Sequence, residues 1–174
     1  MQIIAARQYV SPRTRPLSPD EAETRRLSYA IKSKDASGRD VATAALEMAR
    51  LITGPCWLIP IPDRNGNADA NARLAHHIAM FTGNGAQVVR AIIRTSPIQS
   101  QCERHKHAQG PIRPEDHHLA RTNKMLNLRQ AYFVDNVTTS GNTLFAAFRA
   151  LGFGAGLVFA DASNRRTQYQ STMF

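Results

Sequence analysis

The stretch YFVDNVTTSGNTL, residues 132 to 144, constrains this chain more than any other. A short apolar run stops at Asp135 and Asn136. Threonines, a serine and a glycine follow, and apolar residues then recur at helical spacing. Together these read as a buried strand, a polar loop and a helix. Such a junction either turns a corner or grips an anion.

A phosphate dianion needs several N–H donors converging without crowding. A turn that feeds a helix N-terminus supplies them, with the positive end of the helix dipole behind. Gly141 allows close backbone approach, and Thr138, Thr139, Ser140 and Thr143 add hydroxyl donors. Asp135 and Asn136 sit at the expected strand end, beside that cradle. A carboxylate there is badly placed for a phosphate and well placed for hydroxyls. The loop therefore suits a ligand with a phosphate at one end and a diol nearby, as in ribose 5-phosphate.

The rest of the chain fits around this junction. Residues 1–19 read as an extended arm with an edge strand near Ile3 to Ala5. A helix capped by Ser18 or Asp20 follows, then a second, VATAALEMARLIT, ended by Gly54 and Pro55. CWLIPI reads as a buried parallel strand closed by Pro60 and Pro62. NARLAHHIAMFTG reads as a helix, AQVVRAII as a strand, and residues 94–128 as a long loop of the kind that is functional or disordered. QAYFVDNV, NTLFAAFRALG with Gly152 at its C-cap, and GAGLVFADA complete the order. The expectation is one α/β domain over residues 1–174 with a mainly parallel sheet flanked by helices. Its parts are an N-terminal arm and small hood (1–50), a Rossmann-type core (55–162) and a polar tail (163–174). Ligands in such sheets sit at strand carboxyl ends, which singles out PIPDR, with Pro62, Asp63 and Arg64, and VDNVTTSGNT.

At 174 residues the chain can bury a substantial core. No apolar run approaches the roughly 20 residues that span a bilayer, and the N-terminus has no signal-peptide core, so a cytoplasmic location is expected. The net charge of +9 attracts anions, nucleic acid among them. The excess gathers between Arg90 and Arg129, where Arg94, Arg104, Lys106, Arg113, Arg121 and Lys124 outweigh Glu103, Glu115 and Asp116. That segment is either a solvated loop or an anion-binding lid. Cys56 and Cys102 form no CxxC pair, and Cys56 reads as a core residue. His105, His107, His117 and His118 have no ligand spacing. GFGAG follows a helix instead of a strand, the reverse of a dinucleotide motif.

VDNVTTSGNTL resembles the phosphoribosyl pyrophosphate (PRPP) signature of the type I phosphoribosyltransferases. Asp135 takes the first acidic place and Asn136 the second; Thr139, Ser140, Gly141, Asn142 and Thr143 take the phosphate loop. LIPIPDR is similar to the family's pyrophosphate-binding strand end, with Arg64 as its positive charge. The order IKSKDASGRD, VATAALEMARLI, IPIP and RTSPIQSQCER resembles the ComF-like branch, over roughly residues 28 to 162. Two departures stand out: many ComF proteins carry a cysteine-rich zinc module that is absent here, and Asn136 replaces a second acid.

The resemblance implies a PRPP-dependent transferase with Asp135 and Arg64 in catalytic roles and Mg2+ held mainly by the substrate. It also implies a lid from the basic segment, and a homodimer is common among such proteins. Asn136 accepts a hydrogen bond but adds no charge, so binding is expected to survive better than turnover. The other classes that fit are a non-catalytic PRPP or nucleotide sensor, a nucleic-acid-associated accessory protein and a nucleotide-depleting effector.

Overall fold

The computed structural model describes residues 1–163 apart from 14, 34, 84, 100–103, 105–106, 108–109 and 128. Cys102, Glu103, His105, Lys106 and the tail from residue 164 therefore lie outside the described residues. The elements run β1 (Ile3–Gln8), α1 (Pro19–Ala30), α2 (Gly38–Ala49), β2 (Cys56–Pro60), α3 (Asp69–Thr82), β3 (Gln87–Val88) and β4 (Ile92–Arg94). They continue with a 3-10 turn (Pro114–His117), β5 (Leu119–Arg121), β6 (Gln130–Thr138), α4 (Asn142–Leu151) and β7 (Ala155–Asp161).

Five strands form one sheet in the order β1-β7-β6-β2-β3, and every neighbouring pair is parallel. The expected α/β architecture with a parallel sheet and flanking helices is present. From β2 the chain steps outward to β3 on one side, through α3. It later returns to β6 on the other side and continues to β7 through α4. The order thus reverses between β2 and β6, and the ends of these two strands border the crevice of a doubly wound sheet.

Side chains alternate across the sheet and make two apolar layers. On one face Leu58, Tyr132, Val134, Leu157 and Phe159 pack with Leu27, Met48, Leu74 and Ile78 of α1, α2 and α3. On the other, Ile59, Phe133 and Val158 pack with Leu144, Ala147 and Leu151 of α4 and with Ile92 of β4. Cys56 is buried in the first layer, as its apolar strand requires.

Local chemistry sets the helix ends. Ser18 caps α1 through a capping box with Glu21, so the helix starts at Pro19. Ser37 accepts the Asp40 N–H at 3.1 Å, which starts α2 at Gly38, before the expected Val41; it also ends at Ala49, short of Gly54. Gly83 and Gly152 close α3 and α4 in the left-handed conformation. Residues 1–50, read as an arm with hood helices, place β1 at the sheet edge against β7 and α1 and α2 over the first apolar layer.

Three strand readings change. AQVVRAII is not one strand: it divides into β3 in the main sheet and β4 in a separate antiparallel pair with β5. A tight turn separates the two, with the Ala91 N–H donating to the Val89 carbonyl at 3.0 Å. The stretch 94–128 is accordingly not loop throughout, because it supplies β5 and the 3-10 turn. Strands of three residues are too short to show periodicity. Finally, β6 does not stop at Asp135 and Asn136. It runs to Thr138, because β7 stays paired with it as far as Thr138 opposite Asp161.

Candidate functional site

The crevice arises from unequal strand lengths. β2 pairs with β6 only as far as Pro60 opposite Val134, and Pro60 and Pro62 cannot donate to a ladder. Beyond Val134, β6 is paired with β7 alone. Asp135 to Thr138 therefore run along an edge that β2 has vacated, and the chain's own side chains take up amides there. The Asn136 N–H donates to Asp135 Oδ1 at 2.8 Å, and the Val137 N–H donates to Asn136 Oδ1 at 2.7 Å.

Asp135 is half-buried. Its Oδ1 also accepts from the side-chain amide of Asn71, at 3.2 Å. Its Oδ2 has no partner among the described residues, and it is not one of the polar atoms sealed from solvent without a partner. One carboxylate oxygen is thus committed to the protein and the other is open. Burial pushes the Asp135 carboxyl up from its ordinary value; the Asn136 N–H, the Asn71 amide and the charges of Lys32 and Arg94 oppose that rise. Asn136 was expected to offer an acceptor. Its Oδ1 already accepts the Val137 N–H, which leaves one lone pair for a ligand hydroxyl.

After Thr138, which is buried, the turn Thr139–Ser140–Gly141 leads into α4. Gly141 sits at φ 77°, and a Cβ there would lie 2.9 Å from Ile3 Cδ1. The Asn142 N–H donates to Ser140 Oγ at 3.3 Å. The N–H groups of Thr139, Ser140, Gly141 and Thr143 meet no acceptor among the described residues. Those are the orphan donors of a helix start. The Asn142 side chain is used structurally, donating to the Ile112 carbonyl at 2.7 Å. This bond ties the segment that precedes the 3-10 turn to the first residue of α4.

The loop after β2 is organised by Asp63. Its Oδ1 accepts the Asn65 and Asn67 N–H groups, both at 2.9 Å, so this carboxylate shapes the turn. Arg64 is exposed, and its carbonyl accepts the Ile98 N–H at 3.0 Å. The guanidinium at the heart of the region is instead Arg94. It donates to the Asp63 carbonyl at 2.7 Å, to the Pro62 carbonyl at 3.2 Å and to the His117 carbonyl. Arg94 staples the β4–β5 pair to the loop beside the crevice. Burial works against its charge, while Asp63 and Asp135 support it.

His117 lies beside this staple, 5% exposed, with both ring nitrogens unpartnered among the described residues. Burial and the Arg94 charge pull its pKa down to about 4, so the ring is neutral near pH 7. On the far side, Arg73 donates to the Ser33 carbonyl at 2.9 Å and the Ala36 carbonyl at 3.4 Å. This holds the loop that carries Lys32 against α3.

Asp135, Asn136 and the 139–143 turn are contiguous on β6 and α4, and Pro62, Asp63 and Arg64 stand at the neighbouring strand end. Sequence reasoning missed Asn71 and the staple made by Arg94. Asn71 had a signal: it precedes Leu74, Ala75 and Ile78 on the buried face of α3, and a polar residue on an apolar face needs a partner. Among the described residues no cluster of three His, Cys, Asp or Glu could hold a metal, and no helix is long and apolar enough to cross a membrane. No protein-family model and no curated protein matches this chain.

Proposed function

We propose that this chain binds PRPP at the crevice between β2 and β6 and acts as a phosphoribosyltransferase-type protein, of the type I kind that VDNVTTSGNTL resembles. One observation carries the reading. Among the described residues, the amides of Thr139, Ser140, Gly141 and Thr143 meet no acceptor at the start of α4, and Asp135 Oδ2, a few residues before them, has no partner. The first set suits a 5-phosphate; the second suits a ribose hydroxyl.

In the proposed transfer, the bond from C1 to pyrophosphate breaks as an acceptor bonds to C1, and positive charge develops on the ribose. The protein supplies position and charge in place of covalent chemistry. Asp135 Oδ2 holds the sugar and sets a negative charge near the developing cation. The amide cradle fixes the phosphate. Arg64 and Lys32 are the cations on the two flanking loops for the leaving group. A magnesium ion would neutralise the pyrophosphate, taking its ligands from pyrophosphate and ribose oxygens, with Asp135 holding the sugar in place beside it.

Asn136 favours a second reading, a sensor that binds PRPP or a nucleotide without turnover, because it contributes no charge. Titration calorimetry with PRPP and magnesium tests the shared claim. Wild type is expected to bind and Asp135→Ala to lose at least tenfold in affinity, the low end of removing a hydrogen bond to a charged group. No binding by wild type refutes both readings. Release of pyrophosphate from PRPP then separates transferase from sensor.

A further inference from the structure

Asp135 stands on a strand whose neighbour has ended, so its orientation is not set by the sheet alone. Across the gap, the first turn of α3 brings Asn71 to it. Asn71 is 8% exposed. Its Nδ2 donates to the Ile61 carbonyl at 2.8 Å and to Asp135 Oδ1 at 3.2 Å. One NH2 group thus spends its two hydrogens on two acceptors, one on each strand end of the crevice. Both partners are acceptors, which settles that the nitrogen faces them.

We propose that Asn71 is a positioning residue that clamps Asp135 Oδ1 to the end of β2, so that only Oδ2 meets the ligand; this rests on the reading of Asp135 as the sugar-binding carboxylate. The clamp works with the Asn136 N–H, which donates to the same oxygen at 2.8 Å. Two donors on one oxygen fix the carboxylate plane and direct the remaining lone pairs into the crevice. They also favour the charged form against burial. The other charges that act on Asp135 are Lys32, from the loop between α1 and α2, and Arg94, from β4. Arg94 stays charged in acid, and a signal from the Asp135 side-chain carbon reports that carboxyl itself.

The test reads the clamp without a ligand. The side-chain carboxyl 13C signal of Asp135 is titrated by NMR in the full chain. In Asn71→Ala its midpoint is expected to move to higher pH, because a donor to the charged form is lost. In Asn71→Asp, nearly the same shape, the shift is larger, because a second carboxyl meets the first. Affinity for PRPP with magnesium is expected to fall about tenfold to a hundredfold in Asn71→Ala, with the acid limb of its pH profile displaced upward. Loss of structure alone would lower affinity evenly across pH and move the midpoint down, toward the unfolded value near 3.8. A midpoint unchanged in whichever variants fold overturns the inference. If wild type binds no PRPP, the functional reading fails, and the titration still decides whether Asn71 holds Asp135.

Discussion

Replacing Gly141 by alanine tests the geometry of the amide turn most directly. Gly141 adopts φ 77°, and an added Cβ would meet Ile3 Cδ1 at 2.9 Å and Phe145 Cε2 at 3.5 Å. The second contact is ordinary. The first is too close, but Cδ1 is the far end of a flexible side chain, and moving it off its rotamer costs about 0.5–1.5 kcal/mol. Placing alanine in the left-handed region costs about 1–2 kcal/mol more. The expected loss is about 1.5–3.5 kcal/mol, or roughly 3–14 °C in Tm for a chain of this size. Thermal and urea unfolding read that loss. Ile3→Val removes the clashing methyl at its own cost of about 0.5–1.5 kcal/mol. The double variant should recover the steric part and keep the backbone part. If Gly141→Ala stays within about 0.5 kcal/mol of wild type, as surface changes commonly do, the turn does not have this shape. The proposed phosphate cradle at residues 139–143 would then lose its basis.

Three further outcomes follow from the site. Because burial raises the Asp135 carboxyl, the folded state binds that proton more tightly than the unfolded chain. Its effect on stability is favourable at low pH and is lost as pH rises from the unfolded value near 3.8 through the folded one. Asp135→Asn should therefore raise the neutral-pH Tm while reducing PRPP binding, and the Tm gain should vanish in acid. Asn136→Asp should raise any transferase rate by restoring a charge near C1, measured as pyrophosphate release; an unchanged rate would give this position another role. His117 has the opposite sign: its folded pKa of about 4 lies below the ordinary 6.5, so stability falls as pH drops from about 6.5 toward 4. His117→Phe should flatten that part of the curve in denaturant melts at stepped pH.

The sequence alone determined what neighbours along the chain decide. Apolar runs and capping residues located the main helices, with bounds shifted by a few residues. The strand, glycine turn and helix around residues 130–151 were legible because periodicity, the absence of bulk at Gly141 and Gly152, and helix-start chemistry all act within a few residues. Sheet order was not legible, since it depends on which strands meet after crossovers. That order put the reversal between β2 and β6 and left Asp135 on an unpaired edge. The Asn71 bond to Asp135 spans 64 positions, and Arg94 reaches Asp63 and His117 across 31 and 23. Contacts at such separations depend on how the layers stack. Tertiary structure therefore decided which oxygen of Asp135 is bound and which is open, and that a histidine from the basic segment is buried without charge. Packing governs desolvation, and desolvation sets the charge state of a buried group.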